Sequence, residues 1–155
     1  VENGEDGFIQ GLQAYWSHGF SFSQIDSVDI QFSYTYSDTE ADLVDRTIVM
    51  PERSKHLIAL NLRLANNQWQ YQSQFSWQSE ALDNLGASAA QDIYRQDVLV
   101  WDQSIAWRFN KQWSARFRLN NVLDTPDRSY QGSETRVVNN QYSGYSVRMS
   151  LAFAY

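Results

Sequence analysis

Between residues 69 and 78 the chain changes character at every step. Trp69, Tyr71, Phe75 and Trp77 fall on one parity; Gln70, Gln72, Gln74 and Gln78 fall on the other. Successive side chains of a β-strand point to opposite faces, so this stretch predicts a strand with one apolar and one polar face. Residues 57–64 repeat the pattern, with Ile58, Leu60, Leu62 and Leu64 against Asn61 and Arg63. Residues 28–37 set Val28, Ile30, Phe32, Tyr34 and Tyr36 against Asp29, Gln31, Ser33, Thr35 and Ser37. Residues 145–155 set Tyr145, Val147, Met149, Leu151, Phe153 and Tyr155 against Ser146, Arg148 and Ser150. Two further segments are less pure. In 97–109, Gln103 shares a face with Leu99, Trp101, Ile105, Trp107 and Phe109, opposite Asp102, Ser104 and Arg108; in 112–122, Trp113, Ala115, Phe117 and Leu119 oppose Ser114, Arg116, Arg118 and Asn120. The weakest is 8–18, where Leu12, Ala14 and Trp16 oppose Gly11, Gln13, Tyr15 and Ser17. No helical period competes. The expected fold is all-β, an antiparallel up-and-down meander of seven strands, each ~9–11 residues long, enough to cross a bilayer when tilted.

The connections alternate in length. Asn66-Asn67 and Asn110-Lys111 are compact turn sequences. The segment around Gly19–Asp26 is expected to be a somewhat longer connection on the same side. The other three, roughly 38–55, 80–96 and 124–143, are long and polar. Tight turns at one end and long loops at the other are the habit of outer-membrane barrels, whereas a soluble meander has no physical reason to sort its loops by end.

Composition fits a two-faced sheet. Aromatic residues make up 15% of a chain whose average is polar, with Trp 6, Tyr 9 and Phe 8. The formal net charge of −6 argues against a nucleic-acid backbone as partner. There is no cysteine, which excludes disulfides and Cys-ligated metal. No stretch approaches ~18 consecutive apolar residues, so no transmembrane helix is expected. The chain opens Val1-Glu2-Asn3-Gly4, without initiator Met or signal peptide, and is expected to begin inside a longer precursor.

Alternation alone does not say which face is wet. A soluble lipocalin-like or carbohydrate-binding module would alternate too, with its apolar face inward. Three features favour the apolar face outward. Arg63, Arg108, Arg116, Arg118 and Arg148 all lie on the polar face; Trp69, Trp77, Trp107, Phe109, Trp113, Tyr145 and Tyr155 gather at strand ends; and the sequence closes on an apolar-face aromatic.

Several elements resemble TonB-dependent outer-membrane receptors of Gram-negative bacteria. Trp113–Asp124 (WSARFRLNNVLD), Tyr130-Gln131-Gly132 and Gly144-Tyr145-Ser146-Val147 leading to Phe153-Ala154-Tyr155 are similar to the C-terminal end of such barrels. Gly144-Tyr145 stands where the family commonly has Gly-Arg. Upstream, Asn3-Gly4 and Ile9-Gln10-Gly11-Leu12-Gln13 resemble an earlier strand, with Gln13 in place of Glu, and Pro51-Glu52-Arg53-Ser54-Lys55-His56 resembles the entry into the next. The elements occur in the family's order across almost the whole chain, and the final strands look closest to the carbohydrate-uptake branch. The resemblance implies that residues 1–155 are the C-terminal portion of a twenty-two-strand barrel, with the plug domain absent. It implies an outer-membrane transporter that imports a small solute, a siderophore or an oligosaccharide, with energy delivered by TonB through the plug. Its partners would be membrane lipid, the rest of the barrel, the plug and the TonB system. The barrel-assembly machinery would read the final strand through Tyr145, Val147, Met149, Leu151, Phe153 and Tyr155.

Chemistry beyond ligand contact finds little footing. His18 and His56 are the only histidines and lie far apart in sequence; the acidic run Asp38, Glu40, Asp42 and Asp45 lacks the Gly and spacing of a calcium loop and reads as solvated. Asn121-Val122-Leu123-Asp124-Thr125-Pro126 reads as a strand end, its Asn and Asp accepting local backbone donors. No nucleophile motif or phosphate loop is present, and the expectation is neither an enzyme nor a cofactor protein. If the C-terminus is periplasmic, Gln78, Glu80, Asp97, Asp124 and Tyr145 lie near the external end. Gln78, Tyr94, Arg95, Arg128, Tyr130 and Arg136 are then the candidate solute contacts, because aromatic faces and guanidinium forks suit sugar rings, hydroxyls and carboxylates.

Overall fold

The computed structural model describes residues 6–23 and 25–154. Its strands are β1 (Asp6–Phe22), β2 (Ile25–Asp42), β3 (Thr47–Ile48), β4 (His56–Ala65), β5 (Trp69–Gln78), β6 (Ala81–Asn84), β7 (Ile93–Arg95), β8 (Val98–Arg108), β9 (Trp113–Asn120), β10 (Asp127–Gln131), β11 (Val137–Gln141) and β12 (Ser146–Phe153). A single 3-10 turn, Ala89–Gln91, is the only helical element among the described residues. The main sheet has the order β1-β2-β4-β5-β8-β9-β12, every pair antiparallel, with β3 clipped onto β2. It is the expected meander, and each of the seven alternating segments supplies one of its strands. No closed barrel forms: β1 and β12 are the two free edges, and both are exposed along their whole length.

The registers keep like with like. Trp16 lies opposite Phe32, then come Leu60, Phe75 and Trp101 along one rung. The adjacent rung runs Ser17, Gln31, Asn61, Gln74 and Asp102. A rung further toward the tight turns, Val28, Leu64, Tyr71, Ile105, Phe117 and Met149 align. Period-2 alternation in each strand therefore becomes two continuous faces, because every pairing preserves parity.

No element packs over the apolar face to close a core. Leu60 is 41% exposed and Leu151 61%, while Ile58 and Phe75 are half-buried. The four do not converge into an enclosed interior, as a lipocalin-like module requires. The accessible surface is 10789 Å², against roughly 8,000 Å² for a compact monomer of this mass. The excess is the signature of a sheet presented on both sides. Within the apolar band Trp101 donates its indole N–H to Ser73 Oγ at 2.9 Å. Aromatics concentrate at the turn end, where Trp69 pairs with Trp107, and Trp113 with Phe153 at 4.9 Å between ring centroids. From Trp69 to Trp77 the apolar rungs of β5 run ~26 Å along the strand.

Several expectations change. The connection around Gly19–Asp26 is not the longer one: β1 continues to Phe22 and β2 begins at Ile25, because the aromatic ladder Trp16, His18, Phe20 and Phe22 carries pairing to the turn. β1 and β2 have 17 and 18 residues rather than ~9–11. They outrun β4, which pairs with β2 only from Ser27 to Tyr36, and project as a ribbon at the opposite end. The stretches 38–55, 80–96 and 124–143 are not plain loops, since they hold the end of β2, β3, β6, β7, β10 and β11. Tyr145 precedes the final strand, which begins at Ser146 and ends at Phe153; Tyr155 and the Asn3-Gly4 element lie outside the described residues.

Two of the tight turns are built alike. Asn66 Oδ1 accepts the N–H groups of Gln68 and Trp69, both at 2.9 Å. Asn110 Oδ1 accepts those of Gln112 and Trp113 at 2.9 and 2.8 Å. Each carboxamide replaces the missing ladder partner where an Asn-x-Gln-Trp sequence reverses direction. Asn66→Ala and Asn110→Ala should each weaken their hairpin by about 1–2 kcal/mol, read as faster hydrogen exchange at the amides of Trp69 and Trp113 with the opposite turn unchanged.

Candidate functional site

At the end of the sheet away from those turns, the long connections fold into a second, four-stranded sheet of order β11-β10-β7-β6. It contains most of what little is buried: Ala81 and Leu82 are each 4% exposed, Tyr130 6% and Asp92 2%. Tyr94 and Tyr130, opposite one another across β7 and β10, stack at 5.5 Å. The Tyr130 hydroxyl donates to the Glu80 carboxylate. Burial, then the neighbouring Glu80, pushes the Tyr130 phenol far above its ordinary value. Tyr94 is also raised, by burial first and then by the charge of Asp92 and Glu80.

Asp92 ties the three connections together. Its Oδ2 accepts Arg46 Nη1 at 2.7 Å, and its Oδ1 accepts Arg46 Nη2 and the Gly86 N–H, each at 2.9 Å. Its backbone carbonyl accepts the Gly132 N–H at 2.8 Å. Arg46 also donates to the Gly86 carbonyl at 2.9 Å. Gly132 has φ +66, and a Cβ there would stand 2.5 Å from the Ala90 carbonyl oxygen, so glycine is required by both conformation and space. Burial alone would raise the Asp92 carboxyl, but the fork from Arg46 and the Gly86 N–H outweigh it and hold the group below its ordinary value. Neither Arg46 nor Asp92 carries a sequence signal, because the pair is 46 residues apart.

The six predicted solute contacts separate. Tyr130 and Tyr94 are absorbed into the packing of the small sheet. Arg136 is held by the Ala90 carbonyl at 3.2 Å and Gln131 Oε1 at 3.0 Å. Arg95 sits in β7 between Ala81 and Ser129. Gln78 lies at the end of β5, in a groove with Thr35, Ser76, Trp77 and Val98. Arg128 opens into a larger cleft at this end, about 430 Å³ in volume, with Gln96, Asp97, Thr125, Pro126, Val137, Asn140 and Tyr142. Gln96 Oε1 fixes Arg128 Nη1 at 3.0 Å, the Asp97 carboxylate accepts the Trp77 indole N–H at 3.3 Å, and Tyr142 is 63% exposed. An accessible aromatic ring beside pre-positioned amide, carboxylate and guanidinium groups suits a polar, ring-bearing solute. Gln96, Asp97, Asn140 and Tyr142 were not among the predicted contacts; Asp97 was expected near the external end, and only closeness in sequence to Arg95 and Arg136 pointed toward the other three.

The Asn121–Pro126 segment is structural, as expected. Asn121 has φ 52; its Oδ1 accepts the Thr125 N–H at 3.0 Å, and the Thr125 hydroxyl donates to the Leu99 carbonyl. In the acidic run, Asp38 pairs with Lys55 at 3.2 Å and Asp42 accepts the Thr47 hydroxyl at 2.6 Å. No group of three or more His, Cys, Asp or Glu among the described residues is placed to hold a metal ion. His56 instead bonds Tyr34 at 2.9 Å, and His18 stacks beside Trp16. No family model, curated protein or solved structure matches the chain.

Asp92→Ala should loosen the small sheet by about 2–3 kcal/mol, seen as ~30–100-fold faster exchange of the Gly86 and Gly132 amides while the Trp69 amide is unchanged. The folded-state value of Asp92 is depressed, so its contribution is complete above 3.8 and is lost as pH falls through the lowered value. Pepsin should therefore leave residues 79–97 intact near pH 4.5 and cleave them as the pH drops well below 3.8.

Proposed function

We propose that the chain is part of the wall of a bacterial outer-membrane active transporter, the C-terminal portion of a TonB-dependent receptor barrel. The intact protein binds an extracellular solute and imports it with energy delivered by TonB. One observation carries the reading: a seven-stranded antiparallel sheet whose apolar face is continuous, uncovered and bordered by aromatic rungs, backed by a polar face rich in Arg and Gln. Hydrocarbon on one side and water on the other is the setting in which both faces are solvated as their chemistry requires. The alternative of a soluble binding module is less well supported, because Ile58, Leu60, Phe75 and Leu151 do not meet in a closed interior.

Two further features support the assignment. Connections are tight at one end and elaborated at the other, where the small sheet holds a polar cleft against Tyr142. The free edges of β1 and β12 present unpaired backbone groups, which cost several kcal/mol each in lipid and call for further strands to close the wall. On this reading the tight turns face the periplasm, the small sheet faces outward, the cleft contributes to solute capture, and the plug and the remaining strands come from the rest of the same protein. The exposed edge of β12, carrying Val147, Met149, Leu151 and Phe153, suits strand addition by the barrel-assembly machinery.

The test is transport. Cells lacking the protein should fail to deplete one solute class from defined medium, and cells lacking TonB should fail on the same class. Arg128→Ala with Tyr142→Ala should raise the concentration for half-maximal uptake at least ~10-fold, the loss of one or two good contacts. Depletion that continues unchanged without TonB contradicts the assignment.

A further inference from the structure

β9 and β12 place Arg118 directly opposite Arg148, and Arg116 directly opposite Ser150, on the polar face. Opposed residues in an antiparallel pair have Cβ atoms ~5 Å apart and diagonal neighbours ~7–8 Å apart, so three guanidinium groups reach a common point. With Ser150 they line an open groove of about 210 Å³. Like charges placed opposite one another repel, and such a pair calls for compensation.

None is found within the chain. The guanidinium groups of Arg116, Arg118 and Arg148 make no hydrogen bond or ion pair among the described residues. On the same face Arg63 is met by Asp29 at 3.3 Å and by Gln70 at 3.4 Å, whereas Arg108, which shares a groove with Arg116, adds a further guanidinium without a salt bridge. Asp102 shares a groove with Arg118, but its Oδ1 accepts the Asn121 N–H at 2.8 Å and it forms no ion pair with Arg118. The strand neighbours on the β8 side, Ala106 beside Arg116 and Ser104 beside Arg118, supply no charge. A chain of net charge −6 has carboxylates in excess, yet among the described residues none forms an ion pair with these three arginines.

We propose that Arg116, Arg118 and Arg148 form an oxyanion-binding site that takes a carboxylate or phosphate group. Guanidinium forks bind both in bidentate fashion, and the Ser150 hydroxyl adds a further donor. The oxyanion is either a free anionic solute or an acidic side chain of polypeptide seated against the wall. The proposal rests on the transporter reading only for the identity of the compartment this face lines.

Both sources are tested on the intact protein purified in detergent. Phenylglyoxal modification of each arginine is followed by peptide mass spectrometry, with exposed Arg53 as reference, in the absence and presence of inorganic phosphate. Saturable protection of Arg116, Arg118 and Arg148 of at least tenfold over Arg53, reduced in Arg148→Gln at the two remaining positions, supports a free oxyanion. In a second arm, Arg148→Lys is treated with a carbodiimide that joins amines to carboxylates. A mapped cross-link from position 148 to an Asp or Glu other than Asp102 supports a polypeptide carboxylate, and one to Asp102 counts against it. Modification at the rate of Arg53 with and without phosphate, together with no cross-link, overturns the proposal. Arginine reactivity is read whether or not the apolar face touches lipid, so failure here is distinct from failure of the transporter assignment.

Discussion

Register is the constraint on which everything else in this molecule depends. A strand has a period of two, so a slip of one residue between any two neighbours would carry a whole strand's side chains to the other face. Six successive pairings avoid that slip. The rung from Trp16 to Trp101 stays apolar across five strands, and the rung beside it, from Ser17 to Asp102, stays polar. The only irregularity in the main ladder of β1 and β2 falls between Phe20 and Phe22, next to the turn, where it disturbs no rung that continues across the sheet. Slipping β9 by one position would put Arg116 and Arg118 among Ile105, Met149 and their neighbours, which is why the pattern tolerates no alternative pairing.

A two-faced sheet needs different surroundings on each side, and the described residues supply neither. Large apolar side chains remain exposed from Leu12 in β1 to Phe153 in β12. Contiguous apolar surface on this scale is avoided by soluble monomers and marks contact with a partner or a membrane. The backbone makes the same demand in the plane of the sheet through its two free edges. The proposed transporter wall meets both demands at once, with lipid over the apolar face and additional strands along the edges. The compact part of the molecule is confined to the loop end. There Asp92 joins three connections through Arg46, Gly86 and Gly132.

How much of this was legible in the sequence follows from which interactions are local. Alternation is local, so segments such as 57–64, 69–78 and 97–109 locate β4, β5 and β8 to within a residue or so. Asn66 and Asn110 mark the turns for the same reason, since their side chains bond amides two and three residues on. The full length of β1 was hidden because Gly7, Gly11 and Gly19 dilute its alternation, whereas it is pairing with β2 that holds it extended. The small sheet was hidden because β6, β7, β10 and β11 have three to five residues each, too few to display a period. The candidate site was only partly readable. Sequence chemistry favours Tyr and Arg as contacts, but it does not distinguish Tyr130, stacked and 6% exposed, from Tyr142, open at 63%. Burial is decided by residues distant in the chain, and the unpaired state of Arg116, Arg118 and Arg148 emerges only when β9 and β12 are set side by side.

The central claim is that the apolar face meets hydrocarbon while the polar face meets water. The chain has no cysteine, so single spin labels can be placed at positions 58 to 64 and 72 to 75 of the intact protein in bilayers. Collision rates with oxygen, which partitions into lipid, and with a water-soluble nickel chelate should alternate with a period of two and in opposite phase. Oxygen should dominate at Leu60, Leu62 and Phe75, and nickel at Asn61, Arg63 and Gln74. Low accessibility to both reagents at Leu60, Leu62 and Phe75 would mean that the apolar face is buried in protein, and would contradict the account.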